Sequence, residues 1–335
     1  MRKFHGMLLL SLLCISCAST RPIKVATYNI AFLDEGITPE RKSNLQEVIA
    51  ALDADVVGFQ EINTRAGLQN ILTADYDVAM LDDPDEVQEL ALAVRSPFKV
   101  VSFHPVFPDT VNDEAFPRGR DLLQVNVAGR GRDFVFLVHH AKSRRGGRIE
   151  TDRQREAASK LMVDYIASGL QNQNVVLLGD FNDNPDDRSV NILEFGDESI
   201  AGGVDTREDS FLFNASEDLL TKDYCSYGYN YLFDASALSD TFNLVVAGSR
   251  AENNKWRNQP HDFMKDVKIK TILFDQILVS LNLKPRVTAA GVFNRSVAIK
   301  GKGTRIEFVD GKLHYTERGT LASDHVPVWV ILKLD

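Results

Sequence analysis

Hydrophobic residues in this chain come in short runs that stop abruptly at polar ones. Within Asn174 to Asn184, Val175 to Leu178 closes on Gly179 and opens into Asp180, Asn182 and Asn184. Such a run reads as a buried strand of a sheet core, with the polar burst at the strand end. Ile23 to Ile30 reads as the first strand and finishes at Asn29. Thr38-Pro39 starts a helix, threonine as cap and proline in the first turn, and Leu45, Val48, Ile49 and Leu52 share one face of it. Asp55 to Gln60 is a second strand that runs into Glu61. Leu68 to Met80 predicts a short helix and an edge strand, and Leu81 to Glu89 a solvated acidic loop.

Ala91 to Val94 and Phe98 to Phe103 predict paired strands around Ser96-Pro97. A turn at Phe116 to Gly119 leads through Arg120-Asp121 into an alternating strand to Val127. Gly129 to Arg132 makes a hairpin loop, and Phe134 to Val138 a buried strand that ends in His139-His140. After the basic loop Lys142 to Arg148, a helix from about Glu150 places Ala157, Leu161, Tyr165 and Ile166 inside. Asp186 to Asn230 predicts loops and short helices, and Leu238 to Gln259 a polar surface excursion. Ile269 to Ser280 is a strand carrying Asp275 among apolar residues, where a buried carboxylate needs a partner. A hairpin over Val292 to Tyr315 precedes Ser323-Asp324-His325 and a last strand.

Composition narrows the class. With 335 residues, 44% hydrophobic and 25% charged, the chain is an ordinary globular protein with a large core. A net charge of -9 argues against a nucleic-acid coat protein but leaves room for an enzyme that degrades nucleic acid. Residues 1–17 have the form of a bacterial lipoprotein signal: Arg2 and Lys3, an apolar run from Met7 to Leu13 too short to span a bilayer, then Ile15-Ser16-Cys17. Cys17 is the expected lipidation site, and Ala18 to Pro22 a tether. Cys14 departs from the usual leucine, and plain secretion is the alternative. With Cys14 removed and Cys17 acylated, Cys225 is left without a disulfide partner.

The strand ends collect Asn29, Glu61, His140, Asp180, Asn182, Asp275, Asp324 and His325. Each alone reads as a turn residue. Together they are oxygen ligands of a hard divalent cation plus acid-base histidines, a set that suits Mg²⁺, Mn²⁺ or Ca²⁺ better than zinc.

In order, TYNI, VVGFQE, VHHAKS, LLGDFND, FDQILVS and SDHVPV resemble the endonuclease/exonuclease/phosphatase superfamily, the DNase I-like fold, over about Ile23 to Leu334. The resemblance implies an α/β four-layer sandwich, two packed and mainly antiparallel sheets flanked by helices, as one domain over 23–335. It implies that Asn29 and Glu61 hold the cation, helped by Asp324. Asp180 would orient or deprotonate the attacking water, Asn182 would stabilise the phosphorane, and His325, oriented by Asp275, would contact the scissile phosphate. His140 matches a histidine of the DNase-like and sphingomyelinase-like members, whereas His139 points to the opposite face. Arg120, Lys142 and Arg144 are candidates for flanking phosphates, against the alternative of a solvated basic loop.

The expectation is an exported, lipid-anchored, monomeric Mg²⁺-dependent phosphodiesterase of the cell envelope acting on nucleic acid. Sphingomyelinases and inositol-phosphate phosphatases share the scaffold, and the aromatic stretch Tyr224 to Phe233 keeps a membrane-active hairpin open. A noncatalytic surface binding module is the alternative of another class.

Overall fold

The computed structural model describes residues 21–83, 86–108, 110–117, 120–229, 272–310 and 312–334. Cys17 and the excursion at 238–259 lie outside the described residues.

One sheet contains β1 (Ile23–Leu33), β2 (Val56–Ile62), β3 (Tyr76–Met80), β4 (Glu89–Arg95), β11 (Val287–Val292) and β14 (Val328–Leu332), in the order β11-β14-β1-β2-β4-β3. The second contains β5 (Lys99–Pro105), β6 (Leu123–Gly129), β7 (Arg132–His140), β8 (Val175–Asp180), β9 (Leu212–Asn214) and β10 (Asp275–Ser280), in the order β5-β6-β7-β8-β10-β9. Each sheet has one parallel pair, β1 with β2 and β7 with β8, in an otherwise antiparallel ladder.

Strand alternation builds the layers. Val25, Val56 and Leu92 of the first sheet meet Val138, Val176, Leu178 and Ile277 of the second between the sheets. The intervening residues face outward. Ala26, Tyr28, Val57 and Phe59 pack on α1 (Pro39–Leu52), while Leu137, Val175 and Leu177 pack on α3 (Arg148–Gly169) and α4 (Arg188–Phe195). Because the central strands are covered on both faces, they read as unbroken apolar runs. This is the four-layer α/β sandwich expected from the sequence.

Thr38 caps α1 as expected, its hydroxyl accepting from the Arg41 amide at 3.2 Å. Two expectations change. Strands β4 and β5 do not pair: the chain crosses from one sheet to the other at 96–98, and β5 joins β6. In α3, Ala157 is exposed and the buried stripe is Thr151, Arg155, Ala158, Met162 and Ile166. Ile166 is buried as expected and Leu161 and Tyr165 pack partly buried against the same core, so Ala157 alone departs from the expected face.

A separate hairpin of β12 (Arg305–Val309) and β13 (Lys312–Glu317) stands beside the first sheet, with Phe308 edge-on to Phe32 at 6.0 Å. No helix among the described residues is long and apolar enough to cross a membrane.

Candidate active site

The parallel pairs bring the carboxyl ends of β1, β2, β7 and β8 to one edge of the sandwich, and antiparallel β10 and β14 begin there. Along β7, β8 and β10 the last inward positions are in register: His140 pairs with Asp180, and Asp180 with Asp275. They continue the inward series of Val138, Leu178 and Ile277, so the apolar seam between the sheets ends in chemistry. Asn29 is the equivalent position on β1.

Glu61 needs a device. Alternation would send it to the outer face, because Gln60 is inward and bonded to Thr27. A left-handed backbone (φ 60) and a register shift between Phe59 and Ile62 turn its carboxylate into the cleft instead. Asn182 is also left-handed (φ 52), its amide donating to Asp180 Oδ1 at 2.9 Å.

Asp180 Oδ2 is the hub. It accepts from Asn29 Nδ2 at 3.0 Å and lies 3.7 Å from His140 Nε2 and 3.8 Å from His325 Nε2. His325 Nδ1 donates to Asp275 Oδ2 at 2.7 Å, which gives the buried Asp275 the partner its position demands. The Ser226 hydroxyl accepts from the Asp275 amide at 3.0 Å, and the Ser323 hydroxyl accepts from the His325 amide at 3.1 Å. Glu61 Oε1 accepts from Gln88 at 3.2 Å and lies 3.7 Å from His140 Nε2. The Asn29 oxygen accepts from the Ala31 amide at 3.0 Å. Asp324 lines the cleft beside Glu61, and the Asn182 side chain donates to the Ala141 carbonyl at 3.1 Å.

The two histidines differ in charge. Burial opposes protonation of both. At His325 the carboxylates of Asp275, Asp180 and Asp324 outweigh it and hold the pKa up to about 10. At His140 burial is reinforced by Arg120, His139 and His325, and the ring is held neutral, its pKa well below the usual histidine range. Arg120 Nη1 donates to that ring at 3.3 Å from Nε2. Burial, then Asp324, pushes Glu61 up to about 7, and burial raises Asp180 to about 6. A cation beside a proton acceptor, with a neutral imidazole opposite, is a division of acid and base roles made by environment.

Asp180, Asn182, His140 and His325 line one cleft of about 460 Å³, together with Arg120, buried beside His140, and half-buried Lys142. An adjoining cavity of about 390 Å³ shares Glu61 and Asp324 and reaches Lys302 and Arg305. Arg144 is a correction. It is fully buried and bonds to Asp183 at 3.0 Å, to Asp187 and to the Asn182 carbonyl at 2.9 Å. With Arg148 and Arg155, against Asp152, Asp183 and Asp187, it forms an internal ion network. No route remains from its guanidinium to a substrate phosphate. Exposed Arg145 lines the cleft in its place.

Sequence reasoning passed over several lining groups. Gln88 lay in a loop expected to be solvated, and Phe32, Ile306 and Phe308 look like core residues. Only long-range packing brings them here. Tyr227, 5.0 Å from the His325 ring centroid, comes from the aromatic stretch considered for membrane contact. Its neighbour Tyr229 is buried, so the described part of that stretch faces inward. His139 packs outward against Phe116 and Phe181, away from the cleft.

The profile of the Endonuclease/Exonuclease/phosphatase family matches residues 40–266, and the chain belongs to that family. Fold, family and site define a hydrolase of phosphoester bonds. Among solved structures, D. rerio TDP2 complexed with a single strand DNA product is 18% identical, with a TM-score of 0.54, covering 93% of this chain and 99% of that one. An endonuclease/exonuclease/phosphatase family protein from Bacteroides thetaiotaomicron is 18% identical, with a TM-score of 0.53, covering 94% and 99%. The human Nocturnin catalytic domain with bound sulfate anion is 18% identical, with a TM-score of 0.52, covering 92% of each chain. No curated protein matches the sequence.

Proposed function

We propose that this chain is a divalent-cation-dependent phosphodiesterase that cleaves nucleic acid. The observation that carries the reading is the Asp180 carboxylate at the meeting point of both sheets, close to one cationic and one neutral histidine. Asp180 is placed to orient a water and take its proton, and His325, held charged by Asp275, donates hydrogen bonds to a nonbridging phosphate oxygen. Asn182 adds a donor on the opposite side, where neutral His140 accepts from Arg120 and holds that guanidinium at the cleft.

Half-buried Glu61 with Asp324 beside it, and the Asn29 oxygen, form the donor set of a hard cation. Mg²⁺ is the preferred choice, and when bound it supplies Lewis acidity to the phosphoryl oxygen. The acidic group at Asp186, Asp205 and Glu217 lies outside the cleft and is not this site.

Lys142 and Arg145 at one end, Lys302 and Arg305 at the other, and Phe32, Phe308 and Tyr227 between them support a polynucleotide, whose phosphates and bases need cations and aromatic faces. TDP2 from D. rerio, caught with a DNA product, is consistent with that class. Residues 1–17 support export and anchoring through Cys17 in the cell envelope.

The test compares Mg²⁺-dependent hydrolysis of an aryl phosphodiester, an aryl phosphomonoester and supercoiled plasmid, with Asp180→Asn as control. Diester and plasmid cleavage, absent in the variant, is the expected result. Monoester release alone would replace the reading with a phosphatase.

A further inference from the structure

Helix α1 turns a polar face inward at its start. Thr38, Arg41 and Asn44 recur every three residues and so share one side of the helix. The Thr38 hydroxyl donates to the Gly319 carbonyl at 2.9 Å, and the Asn44 amide to the Thr320 carbonyl at 2.8 Å. Arg41, between them, is 2% exposed, and its Nε donates to the Ala322 carbonyl at 3.2 Å. The helix thereby holds the segment that runs into Ser323-Asp324-His325.

Arg41 also reaches β1. Its Nη2 donates to the Ile30 carbonyl at 2.6 Å and to the Ala31 carbonyl at 2.8 Å. These residues follow Asn29 directly, where the backbone is left-handed at Ala31 (φ 49) and Phe32 (φ 54). Non-glycine residues keep that conformation only when their surroundings over-determine it. The Ala31 amide donates to Asn29 Oδ1 at 3.0 Å, so the residue gripped through its carbonyl aims the Asn29 oxygen through its amide. On the other side, the Ser323 hydroxyl donates to the Asn29 carbonyl at 2.7 Å and accepts from the His325 amide at 3.1 Å. Arg41 lines the cavity that Glu61 and Asp324 share.

Burying a guanidinium is costly, and the partners here are carbonyls rather than a carboxylate. Were packing all that the position required, an apolar side chain of similar volume would serve as well or better. Arginine adds a planar fork whose donors point in fixed directions and can hold two chain segments at once. Those segments lie 10 and 281 residues from Arg41 in sequence, so nothing local brings them together.

We propose that Arg41 is a positioning residue: its guanidinium locks the end of β1 that carries Asn29 to the turn that carries Asp324 and His325. The cation-holding oxygens are thereby fixed against the charged histidine. This role rests on the cation-dependent reading of the cleft, and it needs no contact between Arg41 and cation or phosphate.

Wild type, Arg41→Lys, Arg41→Met and Asn44→Ala, each as the full chain, are compared in three ways: Mn²⁺ affinity, kcat and KM for plasmid, and amide hydrogen exchange. Loss of a residue that orients a metal ligand costs about 10–100-fold in affinity or activity. Both Arg41 variants are expected to lose that much in Mn²⁺ affinity and kcat, with KM kept, and to lose exchange protection at the Ala31 and His325 amides. Lysine keeps the charge but not the fork, so it gives no rescue. Asn44→Ala frees the Thr320 carbonyl of the same segment, and should lower Tm while metal affinity and kcat stay at wild-type values. Arg41 variants that match Asn44→Ala in all three measurements, or a lysine variant equal to wild type, would overturn the proposal. Wild type that cleaves no phosphodiester would refute the catalytic reading instead, and hydrogen exchange would still decide the role of Arg41. Should both Arg41 variants fail to fold, wild type alone gives the answer. Coupling is reciprocal, so saturating Mg²⁺ should slow exchange of the Arg41 guanidinium protons, and no slowing refutes the clamp.

Discussion

Asp275 shows how much one carboxylate can set at the scale of the residue. Its bond to His325 Nδ1 orients the ring and keeps it charged. Asp275→Asn is expected to lower kcat by about 10²–10⁴-fold, the range of lost acid-base assistance. The His325 pKa should fall with it in an NMR titration; an unchanged pKa would remove the aspartate from that role. The pH profile follows from the same groups. Asp180 has a raised pKa of about 6, so it is protonated and unable to accept a proton below that value, and the rate should fall as pH drops through it. His325 loses its charge above about 10, so the rate should fall again as pH rises there. Rates measured from pH 5 to 11 test both limbs, and a bound cation, which favours the carboxylate, should move the acid limb lower.

Among the elements, the loop after β7 carries the sharpest contrast between neighbours. Arg144 is sealed in the ion network while Lys142 and Arg145 face the cleft. Arg144→Met leaves Asp183 and Asp187 short of a partner in the interior, and should lower the unfolding free energy by about 3–5 kcal/mol with KM for plasmid unchanged. Lys142→Ala and Arg145→Ala should do the reverse, raising KM, most at low salt, with the urea midpoint kept. Sequence could not separate these cases. A basic loop has one composition whether its charges meet water or buried aspartates, and the aspartates lie about forty residues away. The same blindness hides Arg155, buried on the inner side of α3 although an arginine reads as solvent-facing. Elements whose instructions are local were legible: the Thr38 cap, the β8 run, and the polar residues ending each strand. The bend that redirects Glu61 was not, because nothing in VVGFQE marks the left-handed residue.

At the scale of the molecule, pairing between strands distant in sequence decides what the local pattern leaves open. The segments β4 and β5 look like hairpin arms, yet each completes a different sheet. The hairpin of β12 and β13 reaches the cleft through Ile306 and Phe308, which no motif marks. The sheets themselves are held closely. A Cβ on Gly58 would stand 2.0 Å from Leu178 Cδ1, so this glycine lets the facing strands approach. Gly58→Ala should keep the fold but widen the seam there, lowering kcat by a larger factor than the loss of stability explains. Paired kinetics and urea unfolding on the same preparation would show this, and a proportionate loss in both would count against it.

His140, Asp180 and Asp275 stand on the second sheet, while Asn29 and Glu61 stand on the first, and His325 leads into its strand β14. The sandwich therefore works as a calliper whose jaws are the two sheets, and the thickness of its hydrocarbon filling sets the gap across which a phosphate is gripped. Anything that swells that filling, such as mild heat or a small apolar solute, would silence turnover while circular dichroism still reports an intact protein.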